Sequence, residues 1–370
     1  MSRNARIGAA VGLLLLVGVV VWLVTRQPAP SIEVISDETP TTQPAVDTSS
    51  ERRVAALRNA AVGSDGGVPE AKKARDPAVV AEFTWGSGEG QLGKTAPDEA
   101  NPEGPMSLTV DALGNVWILD QVNNRLVKVD KNGKPLATLP IPLQAAQEVV
   151  TTPDGKTLVM DRLVDKAVAV LGPDGKQLGE LPLEGKGLEE GGASTGLFTD
   201  GEDVYVEREH GDSIRIGDTS GKANKERPEV PGRPAQDGRT FLTAGIIDGA
   251  SGTVGVTAVD RQTQQHRFTR QLVIGSRVMG LNALDADRSG IIYLGVIVEA
   301  QSSTPERPVF GITLLCLDPL DGRPLAASQI PANASPEETF REMQVLPEGG
   351  VLFLARTAQG AQVVRYQCGQ

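Results

Sequence analysis

Residues 105–140 read PMSLTVDALGNVWILDQVNNRLVKVDKNGKPLATLP, and this stretch decides the fold. Its apolar or alternating segments predict four β-strands at Met106–Asp111, Val116–Asp120, Arg125–Asp130 and Leu136–Leu139. Glycine and asparagine separate the segments, and both residue types tolerate the positive φ of tight turns. A lone four-stranded meander leaves both of its faces exposed, so the unit requires copies of itself on either side.

Copies follow at a regular interval along the chain. In residues 152–182, TPDGKTLVMDRLVDKAVAVLGPDGKQLGELP, Gly155 follows Gly114 by 41 residues, and Asp161 follows Asp120 by the same 41 residues. A third, weaker copy comes 46 residues after the second. A period slightly above forty residues with four strands per unit predicts a β-propeller.

The number of blades follows from the first glycine between strands in each unit. These glycines are Gly114, Gly155, Gly201, Gly252, Gly290 and Gly350. They predict an all-β, six-bladed propeller, with five or seven blades as alternatives because the fourth unit is irregular. Val79–Trp85 is a strand without a unit of its own, and the C-terminal unit has only three strands. We therefore expect segment 79–86 to pair with that unit and close a propeller domain of residues 79–370.

Part of the chain resembles the NHL-repeat family of β-propellers. The resemblance rests on residues 83–93, FTWGSGEGQLG, followed by Gly114-Asn115-Val116-Trp117, Asp120 and Asn123-Asn124-Arg125. In the second and third copies, Lys166 and Asp212 stand at the sequence offset of Arg125. The resemblance implies the propeller fold. It implies no particular activity, because one fold of this kind carries many functions.

The first residues predict a membrane anchor. Residues 7–24 carry no charge, and Arg3, Arg6 and Arg26 flank them. As a helix this segment would span about 27 Å, close to the thickness of a bilayer core. No cleavage pattern follows, so we expect residues 1–26 to be a retained signal anchor, with a cleaved signal peptide as the alternative. The flanking arginines then predict a single-pass protein of a bacterial inner membrane, with the propeller in the periplasm.

Residues 27–78 predict a flexible linker rich in Pro, Thr and Ala. Inside it, Ser50–Val62 has apolar residues three or four apart and predicts a short helix. Two interpretations of this helix are open. It is either a transient helix within a disordered linker or a small helix that docks on the propeller.

Composition limits the partners and cofactors. The net charge is −11 and no basic run occurs, which argues against nucleic acid as a partner. Only two Cys and two His are present, which excludes Cys-rich structural zinc. We expect Cys316 and Cys368 near third strands of neighbouring blades, too far apart for a disulfide, and therefore as free thiols. His210 and His266 lie in polar loops and are expected to be solvated.

The candidate site residues lie where second strands end. Asp120, Asp161 and Glu207 occupy the same place in three successive units, and Asn123-Asn124-Arg125 follows the first of them. A ring of carboxylates at a channel mouth would suit Ca²⁺, as in some lactonase-like propellers. An Asp before a tight link also commonly accepts backbone N–H groups and fixes the turn. We expect a structural role for the carboxylates and no cofactor, with a calcium site as the alternative. All six residues also lie on the face that is expected to bind a partner, and they are therefore the candidate binding residues.

No catalytic motif is present: G-x-S-x-G, H-E-x-x-H, a P-loop and an EF-hand loop are all absent. The longer loops are expected on the face that carries the links between second and third strands and the links between blades. We call it the long-loop face and the opposite one the short-turn face. The longer loops are Leu183–Thr195, Gly232–Thr240, Glu299–Pro308 and Ile330–Thr339.

Loops held by a rigid scaffold commonly carry binding residues. The sequence therefore predicts a non-enzymatic binding or scaffold protein. Its partner would be a protein or another envelope component on the long-loop face, and its N-terminal helix would hold it in the membrane. A calcium-dependent lactonase-like hydrolase or lyase is the enzymatic alternative, and a structural spacer in an envelope assembly is a third.

Overall fold

Six antiparallel β-sheets form the blades of the computed structural model, which describes residues 48–60, 67–73, 77–300, 309–333 and 337–368. The prediction of an all-β, six-bladed propeller is confirmed. The predicted anchor at residues 7–24 lies outside the described residues. Within these ranges, no helix has the length and apolar character needed to cross a bilayer.

Blades 1 to 3 follow the repeats closely, and each runs outward from its first strand. Blade 1 contains β4 Ser107–Val110, β5 Val116–Asp120, β6 Arg125–Val129 and β7 Pro135–Pro140. Blade 2 contains β8 Glu148–Thr151, β9 Thr157–Asp161, β10 Ala167–Leu171 and β11 Gln177–Pro182. Blade 3 contains β12 Ser194–Asp200, β13 Asp203–Arg208, β14 Ser213–Asp218 and β15 Glu229–Val230.

Blades 4 to 6 are less regular. Blade 4 contains β16 Arg233–Pro234, β17 Thr240–Asp248, β18 Thr253–Asp260 and β19 His266–Val273. Blade 5 contains β20 Val278–Ala286, β21 Ile292–Ala300, β22 Val309–Leu317 and β23 Pro324–Pro331, with β1 Lys72–Lys73 added parallel to β23. Blade 6 contains β24 Met343–Val345, β25 Val351–Arg356, β26 Gly360–Tyr366 and β2 Ala78–Trp85, and β3 Gln91–Leu92 extends it.

An Asp and a Gly define the tight turns of the short-turn face. Asp111 Oδ1 accepts the N–H groups of Leu113 and Asn115 at 3.0 and 2.9 Å, and Gly114 has φ 81°. The turn from third to fourth strand repeats this arrangement with Asp130 as the acceptor. The side-chain acceptor satisfies N–H groups that the strands leave unpaired, while glycine takes the left-handed conformation without strain.

Blade 4 departs from the predicted strand assignment. Its first turn contains Gly238, whose N–H donates to Ala235 C=O at 3.1 Å, whereas Gly252 lies between the second and third strands. The predicted role of Gly252 as the first inter-strand glycine is therefore wrong. The reason is the inner strand, Arg233–Pro234, which has two residues and contains a proline. Such a strand leaves no alternating pattern in the sequence, so the second strand of the blade is mistaken for its first.

The core consists of apolar layers between adjacent blades. Five buried hydrophobic clusters among the described residues lie between blades 1 and 2, 2 and 3, 4 and 5, 5 and 6, and 6 and 1. None of the five joins blade 3 to blade 4. Ion pairs connect these two blades instead: Glu207 with Arg233, and Asp200 with Arg261. The ring therefore has one polar seam among apolar ones.

The ring closes through a strand from the start of the domain. β2 pairs antiparallel with β26, from Ala78 opposite Arg365 to Thr84 opposite Gly360. The approach at the last pair is close, because a Cβ on Gly360 would overlap the carbonyl oxygen of Phe83. Blade 6 thus combines three C-terminal strands with one N-terminal strand, which leaves no open edge at the junction.

Cys316 and Cys368 form a disulfide, so the prediction of two free thiols is wrong. Cys316 lies on β22, but Cys368 lies beyond the end of β26 and is not held at the spacing of paired third strands. The chain turns toward blade 5 there, where the Gln367 carbonyl accepts from Ser328 Oγ at 3.2 Å. The two Cα atoms are 6.2 Å apart, within the range for a disulfide.

The predicted short helix is present as α1, Thr48–Ala60, and it docks on blades 5 and 6. Val54 is buried in the hydrophobic cluster between these blades. Arg58 donates two hydrogen bonds, of 2.6 and 2.7 Å, to the buried carboxylate of Asp318, and Arg53 pairs with Asp287. These contacts favour the docking interpretation of the helix, because an isolated helix of this length is marginal in water.

Candidate binding site at the long-loop face

Asp120, the first predicted site residue, is fully buried and closes the link after β5. Its Oδ1 accepts the N–H of Gly93 at 2.8 Å, and its Oδ2 accepts from Asn123 Nδ2 and Arg125 Nε, each at 2.8 Å. Gly93 belongs to the segment that enters blade 1 from blade 6. The carboxylate therefore fastens the closing segment to blade 1, in line with the structural interpretation.

Asn123, Asn124 and Arg125 belong to the same fastening. Asn123 donates to Gly86 C=O at 3.0 Å, and Arg125 donates to the carbonyl oxygens of Ser87, Gly88 and Gln91 at 2.8 to 3.1 Å. Asn124 adopts the left-handed conformation, with φ 51°, and bonds Ile141 C=O at 3.2 Å. All three side chains are thus committed to backbone groups of neighbouring segments.

The residues that correspond structurally to Arg125 in the second and third copies lie one residue after those that the repeat spacing in the sequence predicts. Arg125 lies opposite Asp120, whereas Ala167 lies opposite Asp161 and Ser213 opposite Glu207. Lys166 shares φ 51° with Asn124 and is its structural counterpart. Lys166 and Asp212 therefore do not occupy the position of Arg125, because the link of blade 1 is one residue shorter.

Asp161 is fully buried and has a purely local role. Its Oδ1 accepts the N–H groups of Leu163 and Val164 at 3.0 and 2.9 Å, and its Oδ2 accepts the N–H of Ala145 at 2.8 Å. Three backbone donors around one carboxylate fix the turn and the entry of the chain into blade 2.

Glu207 occupies the same place in blade 3 but reaches into the next blade. Its Oε1 accepts Arg233 Nε and Nη2 at 2.9 and 2.7 Å, and its Oε2 accepts Thr195 Oγ1 at 2.9 Å. Burial alone would raise its pKa, but Arg233, His210 and Thr195 together lower the pKa of Glu207 to about 2. This carboxylate remains charged and is a poor proton acceptor at neutral pH.

A cavity of about 400 Å³ opens at the long-loop face beside this ion pair. Its wall combines apolar, aromatic and cationic groups from blades 2 to 6. The lining residues are Glu148, Thr195, Phe198, His210, Arg233, Ala244, Gly245, Ile246, Gly280, Leu281, Asn282, Ala283, Leu284, Phe340 and Arg341. The cavity lies at the polar seam, where the two-residue β16 leaves most of β17 without an inner neighbour.

Arginine–aromatic stacking shapes the cavity. The guanidinium carbons of Arg233 and Arg341 each lie 5.1 Å from the centroid of the Phe198 ring, and that of Arg162 lies 5.2 Å from the Phe340 ring. Arg233 also donates to Leu284 C=O at 3.1 Å. Arg233 and Arg341, which both line the cavity, are therefore held in place before any ligand arrives.

Glu148 is the acidic residue among those that line the cavity. It is fully buried, accepts the N–H of Leu197 at 2.6 Å and forms an ion pair with Arg341. Burial raises the pKa of Glu148 to about 7, although the charges of Arg341 and Arg233 oppose this shift. Glu148 of the lining and Glu207, which pairs with Arg233 of the lining, thus have pKa values that differ widely.

Apart from Glu148, the lining includes the hydroxyl of Thr195 and the imidazole of His210. Thr195 supplies a hydroxyl, but it donates to Glu207, whose low pKa makes it a weak base. His210, as expected, is largely exposed, with its Nδ1 3.5 Å from Glu207 Oε2. Across the described part of the chain, no group of three His, Cys, Asp or Glu side chains converges as metal ligands.

The structure places the predicted site residues in two settings. Asp120, Asn123, Asn124, Arg125 and Asp161 hold links in blades 1 and 2, while Glu207 pairs with Arg233, which lines the cavity. Sequence reasoning missed Glu148, Phe198, Arg233 and Arg341. Glu148 and Phe198 lie on first strands, whereas the repeat is marked in the sequence by its turns and by the ends of its second strands. Arg233 and Arg341 lie in irregular segments without a repeat position, although the proline beside Arg233 was a visible sign of a disrupted strand.

No protein-family model matches the chain, and no curated protein sequence matches it. The similarity to NHL repeats therefore remains a resemblance of residues 83–182.

Solved structures share the fold at low similarity. Hydrazine synthase of Kuenenia stuttgartiensis is 14% identical over 71% of this chain and 78% of its own, with a TM-score of 0.48. Virginiamycin B lyase from Staphylococcus aureus is 12% identical over 74% and 99%, with a TM-score of 0.42. The calcium-binding protein regucalcin from Agrobacterium tumefaciens is 15% identical over 72% and 92%, also with a TM-score of 0.42. Similarity at this level concerns the fold alone.

Proposed function

We propose that this protein is a membrane-anchored, extracytoplasmic β-propeller that acts as a non-enzymatic binding scaffold. Its binding site is the cavity at the long-loop face. The observation that carries the proposal is the cavity itself: about 400 Å³, lined by arginine–aromatic stacks, with Arg233 and Arg341 each paired to a carboxylate. A preformed, largely apolar concavity with a few fixed polar groups is typical of binding sites.

The membrane and periplasmic location is part of this proposal and is supported by the sequence. Residues 7–24 are uncharged and follow Arg3 and Arg6. Fractionation of producing cells with N-terminal sequencing tests it. We expect the mature chain to keep residues 1–26 and to remain with the inner membrane. A soluble mature chain that begins near residue 27 would contradict the anchor.

Crosslinking in producing cells, followed by mass spectrometry, tests the binding face. Ile246 lines the cavity and is 44% exposed, and Leu113 on the short-turn face is 82% exposed. The matched variants are therefore Ile246→Glu and Leu113→Glu. We expect partner capture to fall about tenfold in the first and to stay at the wild-type level in the second. The reverse result would place the partner on the short-turn face.

A calcium-dependent lactonase-like hydrolase or lyase is the second candidate function. It is favoured by Glu148, whose pKa near 7 on a cavity wall suits a proton donor or acceptor. Calorimetric titration of the chelator-treated protein with calcium, and assays on lactones and esters, test it. We expect neither binding nor turnover. Calcium binding together with turnover that Glu148→Gln abolishes would establish the enzyme instead.

A further inference from the structure

Blade 4 has an unfinished inner strand. β16 pairs with β17 only at Arg233 opposite Leu242 and Pro234 opposite Phe241. β17 continues through Thr243–Asp248, and over the described ranges no inner strand pairs with this part. In blades 1 and 2 the inner strands have four residues, and in blade 3 the inner strand has seven. The two-residue inner strand of blade 4 is therefore shorter than those of blades 1 to 3 and leaves most of β17 without an inner partner.

The hydrogen bonds at the start of β17 show which of its residues point their N–H and C=O groups toward the inner side and which toward β18; we call this alternation the hydrogen-bonding phase. The N–H of Ala235 donates to Thr240 C=O at 2.9 Å, so residue 240 faces the inner side. The N–H of Arg261 donates to Arg239 C=O at 2.9 Å, so odd-numbered residues face β18. Because successive residues of a strand alternate in direction, Ala244 and Ile246 point their N–H and C=O groups toward the inner side.

The segment that leads into blade 4 does not fill this position. It enters blade 4 from β15 through two residues, 231 and 232, and Gly232 has φ 108°. A Cβ on Gly232 would lie 2.5 Å from Leu242 C=O, so the backbone turns off against β17 at this point. Beyond Leu242 the inner position of blade 4 is occupied by the cavity, whose wall includes Ala244 and Ile246.

The surroundings suit an extended apolar segment. Ile246, Ile247 and Met279 expose 44%, 60% and 48% of their surface, which is high for side chains of this size. Arg233 and Arg341 are already paired with Glu207 and Glu148. An acidic ligand would therefore compete with existing ion pairs, whereas a neutral backbone with small or apolar side chains would not.

We propose that the cavity binds an extended, neutral peptide segment of a partner protein as the missing inner strand of blade 4. The peptide runs antiparallel to β17 and exchanges main-chain hydrogen bonds with Ala244 and Ile246. Its alternate side chains contact Phe198 and Leu281 on one side and Ile246 on the other. This is strand addition at a free sheet edge, in which the backbone supplies affinity and the neighbouring pockets supply selectivity. The inference rests on the proposed function, since it names the ligand class of the same cavity.

Proline substitutions separate backbone from side-chain recognition. In Ala244→Pro and Ile246→Pro the N–H that faces the cavity is lost, but no hydrogen bond to β18 is lost. Ile246→Ala shortens the side chain and keeps the N–H. Thr243→Pro is the control for the assignment of odd-numbered residues to the side of β18, because it removes an N–H that faces β18. Its melting temperature should therefore fall well below that of Ala244→Pro. Equal melting temperatures for these two variants would overturn the assigned phase and with it the proposal.

The probe is a phage-displayed library of random peptides of about eight residues, selected on the full-length protein in mild detergent. We expect recovered peptides to alternate apolar and polar residues and to bind Ala244→Pro and Ile246→Pro about tenfold more weakly, with a smaller loss for Ile246→Ala. Recovery of no peptide, or equal binding to the proline variants, would overturn the proposal. An equal loss in Ile246→Ala and Ile246→Pro would indicate side-chain recognition of a compact ligand, which also overturns it.

The cell crosslinking described above separates this inference from the proposed function. If capture depends on Ile246→Glu but is unchanged in both proline variants, the binding face stands and strand addition fails. If partner capture is unchanged in Ile246→Glu, the proposed function itself fails, whatever the proline variants show.

Discussion

Blade 1 and blade 4 each contain four strands, but their inner strands cover the second strand to different extents. In blade 1 the inner strand covers β5, and Asp120 at the end of β5 is consumed by links within the ring. In blade 4 the inner strand covers only Phe241 and Leu242, and Arg233 of that strand turns to Glu207 of blade 3. The same strand count therefore gives a sealed blade in one place and a cavity in the other.

The packing around the two blades differs in the same sense. Buried apolar clusters lie on both sides of blade 1, whereas ion pairs connect blade 3 with blade 4. Apolar layers are non-directional and tolerate irregular contacts, but ion pairs hold only where partners meet. A cavity can persist at the polar seam because its charged wall is already satisfied. We therefore expect stability to be concentrated at the apolar seams and the proposed ligand binding to occur at the polar one.

The largest effect is expected from deletion of residues 79–86. Blade 6 would then lack its fourth strand, just as blade 4 lacks most of its first, but at an apolar seam. β26 would lose its outer partner and the hydrophobic cluster between blades 6 and 1 would lose Ala81 and Phe83. We expect a loss of more than about 5 kcal/mol of unfolding free energy, comparable to the whole stability of a domain.

Thermal unfolding by circular dichroism measures this effect. Deletion of residues 30–46, which lie in the predicted linker, is the control and should leave the melting temperature nearly unchanged. Equal melting temperatures for the two deletions would show that closure through β2 contributes little, and the contrast between the two incomplete blades would disappear.

Sequence reasoning recovered the sealed blades and missed the open one, for a physical reason. Turns with Asp and Gly recur at fixed spacing because the backbone geometry demands them, so the repeats of blades 1 and 2 were visible. The fourth strand of blade 6 followed from counting strands, and Ala78–Trp85 occupies that position. Arg233–Pro234 carries no such pattern, because a two-residue strand is defined by its neighbours alone.

The candidate site was only partly predictable for the same reason. Asp120, Asp161 and Glu207 share a sequence position, but only contacts across blades distinguish Glu207. Phe198 and Arg341 meet although they lie in blade 3 and ahead of blade 6, and nothing local relates them. The disulfide was missed because the path of the chain after Tyr366 depends on blade 5, where Ser328 bonds the Gln367 carbonyl.

The next largest effect concerns Asp120. Asp120→Ala removes the acceptor of Gly93 N–H, Asn123 and Arg125, and leaves a guanidinium and an amide without their buried partner. We expect a loss of about 3–5 kcal/mol by urea unfolding, the usual cost of breaking a buried pair from one side. A loss below about 1 kcal/mol would contradict the fastening role, because that is the value of an exposed pair.

The disulfide should contribute somewhat less. Cys316 and Cys368 are 52 residues apart in sequence, and closing a loop of this size stabilises by about 2–4 kcal/mol in the chain-entropy account. We expect Cys316→Ala/Cys368→Ala to lower the melting temperature, and reductant to lower that of the wild type but not of the double variant. Alkylation under denaturing conditions without reductant should label neither cysteine; labelling of both would show that the bond does not form in cells.

The smallest effect is the dependence of stability on pH near the polar seam, and it distinguishes Glu148 from Glu207, the carboxylates that pair with Arg341 and Arg233 of the cavity lining. The folded-state pKa of Glu148 is raised to about 7, so the folded protein binds an extra proton above the unfolded pKa. Its contribution is complete at low pH and is lost as the pH rises through 7. The folded-state pKa of Glu207 is lowered to about 2, so its contribution is present at neutral pH and is lost as the pH falls from about 4.5 toward 2. We expect each change to amount to about 1–3 kcal/mol.

In melting temperatures recorded from pH 3 to 8, Glu148→Gln should flatten the neutral part of the profile and Glu207→Gln the acidic part. If both variants alter the same part of the profile, the two groups titrate as one coupled pair. The ion pairs Glu207–Arg233 and Glu148–Arg341 then behave as a single ionic cluster and not as two independent pairs.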